Sequence, residues 1–185
     1  PSQSTWYSHN DPEFTWTTPA DTSGVEGYSF ILDQLSNTDP DTTVDTTGNS
    51  TSYTDQPDGT WYFHVRAVDH AGNWGEASHR TVRINQPPVA TDDAYNTDED
   101  TTLSIAAPGV LDNDTDADPL AAILVDTAGH GSLTLNADGS FSYVPDLDFN
   151  GTDSFTYRAS DGKTESELTT VTITVAAVND APVEA

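Results

Sequence analysis

The chain has 185 residues, 31 of them acidic and 5 basic, for a formal net charge of −26. That balance excludes nucleic acid as a partner and disfavours an anionic membrane surface, since both require clustered Lys and Arg. With no Cys and no Met, disulfides, thiolate chemistry and Cys-based zinc sites are excluded too, and no apolar run is long enough to span a membrane.

The length suits two domains of about 90–100 residues. Pro1 in place of Met leads us to expect a piece of a larger, processed protein. Thr, Ser, Asp, Gly and Val dominate, and helix formers are scarce, which favours strands and turns. In chain order, residues 13–17 alternate and end at Pro19. Residues 27–33 follow a turn at Ser23 and Gly24. Residues 59–69 are the longest and most apolar run and predict a central strand; a loop at 70–75 and a last strand at 78–84 follow. The pair Pro87-Pro88 reads as a short stiff linker. Beyond it, strands are predicted at 101–105, 121–125, 131–135, 140–144, 153–159 and 168–175, with Asn136-Ala137-Asp138-Gly139 as a hairpin turn. Short strands separated by turn residues at spacings near ten predict sandwiches. No segment of useful length has helical period.

Composition changes at the linker. All four Trp residues (Trp6, Trp16, Trp61, Trp74) and four of the five His precede it. The part up to Gln86 carries 12 acidic and 3 basic residues, a net of −9, and the remainder carries 19 and 2, a net of −17. The two parts show no sequence repeat of one another. Such charge keeps a protein soluble but strains its compact state, and bound cations relieve that strain. A generically acidic secreted protein is the bland alternative.

The densest charge is Asp112-Asn113-Asp114-Thr115-Asp116-Ala117-Asp118, four carboxylates at alternate positions. Such a run is tolerable around a hard divalent cation, and Ca²⁺ takes six to eight oxygens. It is not an EF-hand loop: counted from Asp112, the sixth and twelfth positions hold Ala117 and Ile123 where Gly and Glu are required.

Residues 58–69, with Ala71-Gly72-Asn73-Trp74-Gly75, resemble the late strands of bacterial fibronectin type III-like domains, a likeness covering 1–85. The second part resembles the cadherin-like tandem repeats of bacterial surface proteins, the VCBS type included. That likeness is carried by Asp92-Asp93-Ala94-Tyr95, Gly109-Val110-Leu111-Asp112-Asn113-Asp114, Asp138-Gly139-Ser140-Phe141, Phe149-Asn150-Gly151-Thr152-Asp153-Ser154-Phe155, Ser160-Asp161-Gly162 and Val178-Asn179-Asp180-Ala181-Pro182-Val183, and it covers 87–185, within a second domain at 86–185. Together the likenesses imply an all-β chain of two tandem Greek-key β-sandwiches, immunoglobulin-like or cadherin-like. The second implies a Ca²⁺-dependent module of long extracellular adhesins or of secreted hydrolases.

By that resemblance, Asp114, Asp116 and Asp118 hold a metal that faces the preceding linker and stiffens it, and Asp161 completes the site. Asp118 passes straight to Pro119, where related repeats have a longer loop. A second site at the opposite pole is implied for Glu99, Asp148, Asn179 and Asp180, normally finished by a following domain. Asn150 stands there in place of Glu, and the alternative is that Asp146, Asp148 and Asn150 only build turns.

His9, His70, His79 and His130 lack zinc spacing, and His64 reads as an outward or half-buried strand residue. Trp16 and Trp61 read as core; Trp74, in a loop, is the better exposed contact. An isopeptide bond from Lys163 is not expected. No nucleophile elbow, zinc-protease pair or phosphate loop is present, so no catalysis is expected. The expected function is a stalk or adhesion segment on the cell surface, its partners being neighbouring domains of the same polypeptide and a glycan or surface-protein ligand. The alternatives are a carbohydrate-binding accessory region and a homotypic surface filament.

Overall fold

The computed structural model describes residues 5–179. The chain divides into two compact units, Pro1–Gln86 and Pro87–Ala185.

The first unit holds β1 (Trp6–Tyr7), β2 (Glu13–Thr15), β3 (Val25–Asp33), β4 (Ser50–Ser52), β5 (Gly59–Asp69) and β6 (Ser78–Ile84). One sheet runs β1-β6-β5-β3 and the other is the pair β2-β4. The most apolar run, β5, lies between two partners, as its composition requires. Phe14 of β2 stacks on Phe63 of β5 with ring centroids 4.0 Å apart, and Val82 and Ile84 of β6 are buried beside them. His64 is fully buried rather than outward or half-buried. The segment after β3 covers it: His64 Nε2 lies 2.9 Å from the Leu35 carbonyl, and its Nδ1 lies 2.6 Å from Nδ1 of His79.

The second unit holds β7 (Asp93–Asp98), β8 (Leu103–Ile105), a 3₁₀ turn at Gly109–Leu111, β9 (Ala121–Asp126), β10 (Gly131–Leu135), β11 (Phe141–Pro145), β12 (Gly151–Ser160) and β13 (Thr169–Ala176). Its sheets run β7-β13-β12-β9 and β10-β11-β8. In both units the first strand pairs parallel with the last, β1 with β6 and β7 with β13. The units thus share a strand topology that their sequences do not advertise.

The core of the second unit follows from alternation. Phe155, Tyr157 and Ala159 of β12 and Val171, Ile173 and Val175 of β13 are buried from the same sheet, Phe155 directly opposite Val171, with Phe141 and Tyr143 arriving from the other sheet. Each such side chain contributes about 1.5–3 kcal/mol by leaving water. Asp153 occupies the same inward register and is 5% exposed. It is tolerated because four donors surround it: the Gly129, His130 and Ser154 N–H groups and the Tyr143 hydroxyl, at 2.8–2.9 Å.

The 3₁₀ turn places the acidic loop. Val110 N–H donates to the Gly139 carbonyl at 3.1 Å, seating the turn against the β10–β11 hairpin tip. Only glycines fit this contact: a Cβ on Gly109 (φ +57°) would lie 2.0 Å from the Gly139 oxygen, and one on Gly139 (φ +82°) 1.9 Å from the Pro108 oxygen.

Candidate metal centre

From the 3₁₀ turn the chain enters the acidic loop still curled. Asp112 lies in the right-handed region, and Asp114 N–H reaches back to the Leu111 carbonyl. The loop is then stitched to the segment entering the unit. Val89 and Thr115 exchange backbone hydrogen bonds at 3.0 and 2.9 Å, and Thr91 N–H donates to Asp114 Oδ1 at 2.8 Å. Asp114, Asp116 and Asp118 are half-buried while Thr115 and Ala117 are exposed.

Three carboxylates converge. Asp116, Asp118 and Asp161 each offer one oxygen, all within 4.8 Å of one another. Asp118 N–H donates to Asp116 Oδ1 at 2.7 Å, which leaves Asp116 Oδ2 for a cation. The Lys163 and Thr164 N–H groups, each at 2.7 Å, orient Asp161 through its Oδ1. Oxygens that share a Ca²⁺ at 2.3–2.6 Å lie no more than about 5 Å apart, so this donor set fits a hard divalent ion. The charge has already drawn a cation from the chain itself: Lys163 Nζ lies 2.5 Å from Asp118 Oδ2. That contact is what the sequence did not reveal.

Asp114 turns elsewhere. Its Oδ2 accepts from the Tyr157 hydroxyl at 2.9 Å, and that hydroxyl also faces the Val110 carbonyl at 2.6 Å and Asp93 Oδ2 at 3.5 Å. One hydroxyl proton cannot serve three oxygens at once. Burial, then the charge of Asp114, pushes the Asp93 carboxyl up to about 6, and burial likewise raises Asp114 above the usual carboxylate range. Asp93 and Asp114 therefore form a second, charge-strained cluster beside the first.

At the opposite pole, Glu99 is buried with both oxygens engaged. Oε1 accepts the Val178 N–H at 2.6 Å, and Oε2 accepts Asn150 Nδ2 at 3.2 Å. Asp148 adopts a positive φ of 57°, and its N–H donates to Asp100 Oδ1 at 3.3 Å. Asn179 is exposed, and Asp180 lies outside the described residues. Among the described residues no group of three metal-ligating side chains forms at this pole. The Asn150 amide also donates to the Asp148 carbonyl at 3.4 Å, so it links this turn to Glu99.

Trp74 is half-buried, with the Arg66 guanidinium 5.0 Å from its ring centroid. Trp16 and Trp61, read as core, pack against the first unit's buried cluster while staying partly exposed, and Trp16 also lines a cleft.

A profile of the bacterial cadherin-like domain matches residues 85–177. The chain belongs to the bacterial cadherin-like domain family. No curated protein matches it. Solved structures similar to this cadherin-like chain include an endo-fucoidan hydrolase of glycoside hydrolase family 107, 20% identical, with a TM-score of 0.39. The match covers 93% of this chain, which spans only 27% of the hydrolase. The fibronectin(III)-like modules of Clostridium thermocellum CbhA are 17% identical over 100% of this chain and 97% of theirs, with a TM-score of 0.37. The human mucin-like protocadherin EC1-2 is 18% identical over 83% of this chain and 86% of its own, with a TM-score of 0.38. At these scores the similarity says nothing about what this cadherin-like chain binds.

Proposed function

We propose that this is a non-catalytic, Ca²⁺-binding segment of a large extracellular or cell-surface protein. Residues 1–85 serve as a fibronectin type III-like sandwich and residues 86–185 as the metal-dependent one. The observation that carries the reading is the convergence of Asp116, Asp118 and Asp161 from two separate loops of a cadherin-like domain. A bound Ca²⁺ neutralises these carboxylates. Asp116 and Asp118 hold it from the connection before β9, and Asp161 from the turn between β12 and β13, so the ion cross-links two loops of the sandwich. Its partners are neighbouring domains of the same polypeptide, and its role is mechanical.

Calorimetric titration with CaCl₂ in matched ionic strength tests this. The wild-type protein binds Ca²⁺, and Asp161→Asn weakens binding at least tenfold. Equal heats for the two, or none for either, refute the reading.

One observation favours a second reading, carbohydrate binding by the first unit. A cleft of about 580 Å³ is lined by Phe14, Trp16, Asn49, His79 and Arg80, among others. The Trp16 ring is partly exposed there, and Arg80 enters no ion pair among the described residues. An aromatic side chain beside an unpaired guanidinium suits an acceptor-rich saccharide. Titration with neutral and anionic oligosaccharides, comparing wild type with Trp16→Phe, decides it: loss of binding in the variant supports the reading, and no binding by the wild type ends it.

A further inference from the structure

We infer that Lys163 is an internal competitor for the cation at Asp116, Asp118 and Asp161, and that it sets the affinity of the site; this rests on the calcium reading above. The second part of the chain has two basic residues against 19 acidic ones. Arg158 is committed to Glu165, 3.9 Å away, and to the Ser166 carbonyl. Lys163, the remaining cation, lies on the one group of three converging carboxylates among the described residues.

The backbone delivers it there. Gly162, at φ +81°, turns the chain after Asp161, so the residue whose N–H orients the Asp161 carboxylate also turns its ammonium onto Asp118. The same short turn therefore carries a metal ligand and the group that competes with the metal. The Lys163 and Asp118 side chains are 31% and 39% exposed, so the ammonium can swing into water when an ion arrives.

Two effects of opposite sign follow. Without metal, Lys163 offsets one of three crowded negative charges and steadies the loops. With metal, its contact with Asp118 must be broken, and its charge repels the incoming ion. Removing the charge should therefore weaken the metal-free protein and strengthen metal binding. For a half-exposed pair screened by solvent, the gain in affinity is about tenfold.

The test is a CaCl₂ titration of the full chain, as wild type, Lys163→Gln and Lys163→Arg, with thermal melts in EDTA followed by circular dichroism. Lys163→Gln should bind Ca²⁺ about tenfold more tightly and melt earlier in EDTA, while Lys163→Arg keeps the wild-type behaviour in both. Unchanged or weaker binding by Lys163→Gln overturns the inference and leaves the calcium reading standing. Absence of binding by wild type and both variants overturns the calcium reading, and this inference with it.

Discussion

Replacing Asp153 by Asn should destabilise the second unit by about 3–5 kcal/mol at pH 7. Its carboxylate is 5% exposed and accepts four hydrogen bonds, two at each oxygen. An amide of the same shape keeps only one acceptor oxygen. The least costly orientation leaves the Gly129 and Ser154 N–H groups on that oxygen and lets the new NH₂ donate to the Tyr143 hydroxyl. That hydroxyl already has a second acceptor in the His130 carbonyl at 3.0 Å. The His130 N–H is then buried with nothing to accept it, which costs about 1–3 kcal/mol. Loss of charge weakens the two surviving bonds by about 1 kcal/mol each. The effect should depend on pH with a definite sign. Burial raises the Asp153 carboxyl, but the three N–H groups and the Tyr143 hydroxyl outweigh it and hold the group below the usual 3.8. Its stabilisation is therefore present above pH about 4 and lost as pH falls through the lowered value. Urea denaturation at pH 7 and pH 3, followed by far-ultraviolet circular dichroism, measures both. All four tryptophans lie in the first unit, so the tryptophan fluorescence transition is an internal control that should not move. A loss below 1 kcal/mol at pH 7, or an equal loss at pH 3, refutes the reasoning.

Asp93 carries the opposite sign. Its carboxyl is raised to about 6 against 3.8 unfolded, so it favours the folded state below pH 4, and that contribution is lost as pH rises through 6. After allowance for solvent screening, the penalty at pH 7 is of order 1 kcal/mol. Asp93→Asn should thus raise the melting temperature of the second unit at pH 7 and flatten its pH dependence between 4 and 6; equal pH profiles for the two proteins contradict this. Gly109→Ala places a Cβ 2.0 Å from the Gly139 oxygen at a positive φ, and should cost about 3 kcal/mol or more. A loss below 1 kcal/mol in a chemical melt means that the 3₁₀ turn does not hold the acidic loop.

The strands that bury side chains were legible in the sequence. The runs at 59–69 and 78–84 became β5 and β6 without change of bounds, and Asn136-Ala137-Asp138-Gly139 joins β10 to β11. The strands that were missed have little to bury. β1 is two residues long, β4 is Ser50-Thr51-Ser52, and β7 is Asp93-Ala94-Tyr95-Asn96-Thr97-Asp98, held by its parallel ladder to β13 rather than by apolar alternation. At the candidate site, the resemblance implied one ligand set of Asp114, Asp116, Asp118 and Asp161. Asp116, Asp118 and Asp161 converge, whereas Asp114, closer to the 3₁₀ turn, has its Oδ2 on the Tyr157 hydroxyl. Asp153 had a signal that was available and unused: it shares the i, i+2 register of Phe155, Tyr157 and Ala159. Lys163 had none, because its meeting with Asp118 spans 45 positions of sequence.

The most direct test of the account is a thermal melt of the full chain in EDTA against one in millimolar CaCl₂, with NaCl matched for ionic strength. Binding to the native state alone stabilises by about 2.7 kcal/mol at a hundredfold excess over Kd. For a unit of this size that is a rise of roughly 10 °C or more. The account predicts that rise in the circular dichroism transition of the second unit, with the tryptophan transition of the first unit unmoved. Coincident melts in EDTA and CaCl₂, or a shift that NaCl reproduces, would show the acidic loop to be a solvated turn and contradict the account.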